Sequence, residues 1–292
     1  MTSLHTASGY APGKLILSGE HAVVHGHLCL ALAVSRGTTV TLTRRSGPTG
    51  LDDAPLADDR LAAALEAVLP TDGIGVSIST DLPVGRGMGS SAALAVALVR
   101  ARAALAGQTA SFAECHRVGF VIERLFHGNP SGVDHTVSAM GGGVQYRRSQ
   151  PIEALSLPPL TLVVMDTGVA GSTAELVAGV AALPDCAARL AQIGVLTEAV
   201  AAALHGPPEP LGALLTQNHH LLRGIGVSTP QLDALVEAAL SAGAYGAKLA
   251  GAGGGGVAVA LVADPAPVLR AARAIGAEAF VAGVAPATGD VG

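Results

Sequence analysis

Three glycine-rich segments punctuate the chain, at residues 11–21, 83–93 and 248–256. Each is a place where the backbone must turn tightly or let another group come close, because glycine alone takes positive φ without steric cost. Strand and helix patterns alternate between these segments, which predicts an α/β or α+β class. Thr38–Arg44 (TTVTLTR) and Gly75–Thr80 read as strands, and Ser91–Leu105, apolar almost all round, reads as a buried helix. Ser111–Phe126 opens with Ser111 and Glu114 at capping-box spacing. Gly143–Arg147 and Leu160–Asp166 read as strands. From Thr173 to Leu222 helical patterns dominate, broken by Pro184 and by Gly206-Pro207-Pro208. Thr229–Ala242 is a further helix with Pro230 in its first turn. Val257–Ala263, Pro265–Ile275 and Glu278–Gly283 follow as strand, helix and strand. Prolines 151, 158 and 159 place a boundary near 149–159, giving domains 1–150 and 151–292.

The segments carry different chemistry. Residues 11–21 (APGKLILSGEH) gather Lys14, Glu20 and His21 around a short apolar strand, with Gly13 and Gly19 permitting a turn at either end. Residues 83–93 (PVGRGMGSSAA) alternate Gly85, Gly87 and Gly89, add Ser90 and Ser91, and run into a helix. Free N–H groups of such a loop and of a helix N-terminus converge on an anion, and the helix dipole adds to the attraction. This is the pattern of a phosphate cradle, and not a Walker A loop, since no Gly-Lys-[Ser/Thr] ends it. The two serine hydroxyls either cap the helix or ligate Mg²⁺. Residues 248–256 contain G-x-G-x-x-G at Gly251, Gly253 and Gly256. A dinucleotide fingerprint follows a strand and opens a helix, whereas here the strand VAVALV comes after the glycines. Gly253–Gly256 therefore let the backbone approach another loop or a phosphate, or form a structural turn.

Between the second and third segments, Glu123 lies near a helix end, Gly128-Asn129-Pro130 forces a turn, and Asp134 enters the first turn of a new helix. Two carboxylates flanking a forced turn can face one cleft, one holding a metal and the other accepting a proton; solvated surface acids are the plain alternative. His25 and His27, two apart on one strand, and His219-His220, on different faces of a helix, carry no metal-ligand expectation.

Composition sets limits. There is no Trp, with three Tyr and four Phe, while 56 Ala and 38 Gly are present. The core must be aliphatic, with small side chains that suit tight helix packing. A net charge of −5 without a basic run excludes nucleic acid as a partner. The longest uncharged stretch near a span, Leu249–Ala263, falls short of the roughly 20 residues a membrane helix needs. The start, MTSLHTASGY, has neither a charged n-region nor an apolar h-region. Three separated cysteines without CxxC suit a reducing compartment, so a cytoplasmic location is expected. Of 17 Lys and Arg residues only Lys14 and Lys248 are lysines. In an arginine-biased chain a retained lysine marks a position where the two are not interchangeable.

In this order the segments resemble the motifs of the GHMP small-molecule kinase superfamily, most closely those of its mevalonate kinases. APGKLILSGEHAVVHG (11–26) is similar to the first motif and PVGRGMGSSAA to the ATP-phosphate loop. HGNPSGVD (127–134) resembles the segment with the catalytic aspartate, and GAYGAKLAGAGGGG (243–256) the third motif. The resemblance implies an α+β GHMP kinase fold. It pairs a ribosomal S5 domain 2-like N-terminal domain that binds ATP with a ferredoxin-like C-terminal domain, the site lying between them. It implies ATP- and Mg²⁺-dependent phosphorylation of the 5-hydroxyl of mevalonate, with phosphomevalonate kinase as the nearest enzyme alternative.

By the same resemblance, Asp134 is the general base and Lys14 its partner. Pro83, Gly85, Gly87, Met88, Gly89, Ser90, Ser91 and Ala92 bind ATP, and Ser91 and Glu123 hold Mg²⁺. Glu20, His21, Gly251, Ala252 and Gly253 contact the substrate, and a homodimer is the expected assembly. Charge type alone suggests Arg147 or Arg148 for the substrate carboxylate. Three positions depart from the family pattern: Ala250 stands where Ser or Thr is usual, His135 where Asn is, and His25 where Tyr is. A non-catalytic member would have lost Lys14, Glu123 or Asp134, and all three are present.

Overall fold

The computed structural model describes residues 5–52, 58–128 and 130–287. The first half contains β1 (Thr6–Ser18), β2 (Cys29–Pro48), β3 (Gly50–Leu51), α1 (Asp59–Glu66), β4 (Asp72–Thr80), α2 (Ser90–Leu105), α3 (Phe112–His127), α4 (Val133–Met140), β5 (Gly143–Tyr146) and β6 (Glu153–Leu155). One sheet runs β3-β4-β2-β5-β6, with β1 also paired to β2. The long β2 organises it. β1 lies along one edge, while β5 takes Cys29–Leu32 and β4 takes Thr38–Arg44 on the other. The stretch between those two partners is completed from the far end of the chain: Val34 bridges Val284, Ser35 N–H donates to Gly283 O, and Ala285 N–H donates to Ala33 O.

The second half contains β7 (Leu162–Asp166), α5 (Thr173–Ala181), α6 (Cys186–Ala203), α7 (Pro208–Gly224), α8 (Pro230–Ser241), β8 (Gly246–Ala250), β9 (Val257–Leu261), α9 (Pro265–Ala274) and β10 (Glu278–Ala282). Its sheet runs β10-β7-β9-β8, antiparallel throughout. Numbered within this half, the strand order is 4-1-3-2, with helices after the first and third strands, which is the ferredoxin-like arrangement. β6 still belongs to the first sheet and β7 starts the second, so the change of sheet falls in the proline-bearing segment between Leu155 and Leu162.

Local chemistry sets the element ends. Ser111, Thr229 and Asp264 cap α3, α8 and α9 by accepting backbone N–H groups, and α8 and α9 begin with proline. Only half of the expected capping box forms at α3, because the Glu114 carboxylate pairs with Arg102 instead of turning back to Ser111. α2 buries residues on all sides, as its sequence predicts. The small-residue composition appears as close packing: α7 lies so near β8 that a Cβ on Gly246 would stand 1.8 Å from the Gly212 carbonyl oxygen. α6 alone among the described residues is long and apolar enough to cross a bilayer by length and composition. Here its Leu190, Ile193, Thr197 and Val200 face the interior.

Two local expectations are corrected. Gly13 is no turn: β1 runs through it, and where the register shifts between Pro12 and Lys14 the extra residues belong to β2, so the glycine lies opposite a bulge. His25 and His27 do not share a strand, since Ala22–His25 is a short 3-10 helix ended by the left-handed Gly26. The Asn129 part of the forced turn lies outside the described residues, as do the first four residues of the start.

Candidate active site

The run of β1 through Gly13 places Lys14 under the second glycine segment. Its backbone N–H donates to Met88 O at 2.9 Å. Its side chain passes beneath Gly89, where a Cβ would stand 3.0 Å from Lys14 Cγ and where φ is +72°. Any larger residue at 89 would be strained and would press on the lysine. Lys14 Nζ ends 3.2 Å from Asp134 Oδ1. Asp134 occupies the first turn of α4 behind the left-handed Gly132. Tyr146 Oη donates to Ser131 O at 3.0 Å and steadies that approach.

Gly85, Gly87 and Gly89 all have positive φ, so the loop before α2 turns its backbone repeatedly. Gly89 is the N-cap of α2, and no side chain caps the helix. Neither serine therefore caps the first-turn N–H groups. Those N–H groups are donors suited to an anion. Ser91 Oγ instead donates to Glu123 Oε1 at 2.6 Å, with His127 Nε2 at 3.0 Å from the same oxygen. Glu123 is buried, and its pKa is pushed up to about 8, first by burial and then by the Asp134 charge. The two carboxylates therefore do act on one another across the forced turn.

A carboxylate and a hydroxyl facing an anion cradle match the sparse protein ligation of Mg²⁺, which keeps waters and takes phosphate oxygens. Among the described residues no group of three or more His, Cys, Asp or Glu could hold a metal by itself. His127 was missed from sequence; its signal was the i,i+4 spacing from Glu123 on α3.

The third segment joins two antiparallel strands, β8 and β9, so the rejected dinucleotide reading stands rejected. Its glycines meet neighbouring loops, as the first of the two open readings required. A Cβ on Gly256 would stand 2.8 Å from Arg86 O, one on Gly251 3.4 Å from Gly87 O, and one on Gly253 2.0 Å from Val227 O. Arg86 clamps the phosphate loop to the second half through Asp166 at 3.2 Å and Gly168 O at 2.7 Å. Ala250, the departure from the family pattern, is buried at the end of β8.

Glu20 and His21 form the turn after β1, with His21 at φ +60°. His21 Nε2 lies 2.8 Å from Ala252 O. The carbonyl can only accept, so Nε2 carries the hydrogen and Nδ1 is left as an acceptor. Burial holds the His21 pKa down, favouring the neutral ring. Glu20 is buried and its Oε1 accepts from the buried Lys248, while Oε2 has no partner among the described residues. Of the arginine candidates, Arg147 is paired with Glu198, and Arg148 donates to Val24 O at 3.3 Å.

Comparison with known proteins adds the family. The family model described as "GHMP kinases N terminal domain" matches residues 59–142, and "GHMP kinases C terminal" matches 199–282. A mevalonate kinase of Thermococcus onnurineus is 36% identical, covering 87% of this chain and 88% of its own length. One of Pyrococcus horikoshii is 36% identical over 86% of this chain and 87% of its own. The solved structure of L. major mevalonate kinase in complex with R-mevalonate superposes with a TM-score of 0.85 at 30% identity, covering 97% of this chain and 96% of that one.

Proposed function

The chain belongs to the GHMP kinase family, and on that premise we propose that it transfers the γ-phosphoryl group of ATP to the 5-hydroxyl of mevalonate, with Mg²⁺. The observation that carries the reading is the Lys14–Asp134 pair, held directly beneath an uncapped glycine loop.

In this reading Asp134 receives the proton of the attacking hydroxyl. The hydroxyl oxygen bonds to the γ-phosphorus as the bond to the bridging oxygen breaks, and ADP departs. Lys14 is a compact, buried ammonium beside that oxygen, and it lowers the cost of the nascent alkoxide. The N–H groups of Gly87, Gly89 and the first turn of α2 meet phosphate oxygens. Ser91 and Glu123 would hold Mg²⁺, which when bound neutralises charge on the β- and γ-phosphates. Glu20 Oε2 and His21 Nδ1 are acceptors suited to the hydroxyl groups of the substrate. Little covalent chemistry is asked of the protein; positioning and electrostatics carry the reaction.

The test is a coupled ADP-release assay with mevalonate, 5-phosphomevalonate, homoserine and galactose in parallel. Turnover on mevalonate is expected to dominate. Turnover on 5-phosphomevalonate alone would replace this reading with the phosphomevalonate kinase one, and no turnover on any would favour a binding protein.

A further inference from the structure

Lys248 is fully buried on β8, yet it sits in a chain that uses arginine for nearly every other cation. Its ammonium donates to Glu20 Oε1. Its other neighbour, the Ile16 carbonyl, is 3.5 Å away, at the outer limit of a hydrogen bond. A buried ion pair is a poor source of stability, because desolvating both charges offsets their attraction. Well-packed apolar residues of similar volume often replace such a pair without loss, so the pair is weak evidence of a stabilising role. What the pair does fix is Glu20, whose second oxygen is buried and unpartnered among the described residues.

The surroundings agree. The Lys248 ammonium faces the Ile16 carbonyl of β1, two residues beyond Lys14, whose own ammonium pairs with Asp134 of α4. His21, the residue after Glu20, is held by Ala252 just beyond the end of β8. The second half of the chain thus grips both residues of the turn, Glu20 by a charge and His21 by a carbonyl.

We infer that Lys248 is a positioning residue for Glu20, aiming its carboxylate so that Oε2 accepts a hydrogen bond from a substrate hydroxyl. This rests on the substrate reading above. Without the ammonium, Oε1 loses the donor that fixes it, and the free oxygen loses its set direction.

The test compares K248M, E20Q and K248M/E20Q with the wild type. Steady-state kinetics in both substrates and nucleotide affinity are measured. K248M is expected to raise the mevalonate KM about tenfold or more while leaving kcat and nucleotide affinity within about twofold. The double variant is expected to match E20Q within about twofold, because Lys248 acts through Glu20. A mevalonate KM near the wild-type value in K248M overturns the inference. So does a parallel loss of nucleotide affinity, or a double variant worse than E20Q by the full effect of K248M. If K248M fails to fold, E20Q against the double variant, both with neutral residue 20, decides alone. A wild type inactive on mevalonate refutes the substrate reading instead, and the same comparison is then made with whichever alcohol it phosphorylates.

Discussion

Lys14 Nζ lies 3.2 Å from Asp134 Oδ1, joining a side chain with 4% exposure to one with 26%. The inequality gives the pair a direction: the lysine is shielded from water, and the carboxylate is partly open to it. Replacing Asp134 with Asn keeps the shape but removes the proton acceptor. The expected result in the ADP-release assay is a fall in kcat of about 10² to 10⁴, with the mevalonate KM little changed. Near-normal turnover would remove Asp134 as the base.

Lys14→Arg tests the other member. The slot beneath Gly89 admits a thin methylene chain, with Cγ already 3.0 Å from where a Cβ on Gly89 would be. A planar guanidinium neither fits that slot nor concentrates its charge at one point. Turnover should fall by about 10² or more, the scale of losing one preorganised donor to a developing oxyanion. An arginine variant with wild-type kcat would make Lys14 a structural residue.

Glu123 predicts a pH-dependent stability in the metal-free protein. Its pKa rises from 4.5 to about 8 on folding. Between those values the fold retains a proton that the unfolded chain has released, so stability declines as pH climbs from about 4.5 to about 8. E123Q carries no titrating group and should flatten that decline. Thermal melts in the presence of a chelator, across this range, check it; an unchanged slope in E123Q would place the effect elsewhere.

His135 predicts the opposite slope in a more acidic window. Burial, with His116 adding to it, pulls its pKa from 6.5 to about 4, and both ring nitrogens lack partners. The neutral ring is favoured in the fold. Its contribution is complete above about pH 6.5 and is lost as pH falls toward 4. H135N should lose less Tm than the wild type between pH 7 and pH 5. Equal losses in the two proteins would show that the ring titrates freely.

Much of this was legible in local sequence. The glycine segments, the capped helices and the entry of Asp134 into a first turn depend on residues within a few positions of one another, where periodicity and turn chemistry act. What escaped was long-range. Nothing near Lys248 indicates that its partner is Glu20, more than two hundred residues earlier. Gly13 looked like a turn because the extra residues that shift the register lie on β2, and only pairing with β2 reveals them. That neither serine caps α2, and that Ser91 turns to Glu123 instead, depends on the approach of α2 to α3, which no spacing along one helix encodes.

The return of Gly283–Ala285 to β2 has a consequence for synthesis. Those residues hydrogen-bond Ala33, Ser35 and Gly142 inside the first sheet. Lys14, Ser91, Glu123 and Asp134 have all left the ribosome long before those bonds can form. Domains usually fold in the order they emerge, but here the earliest-made sheet keeps an unfilled position until residues 283–285 have been made. The nascent protein therefore carries Lys14, Ser91, Glu123 and Asp134 on an unfinished scaffold while the second half is still being synthesised.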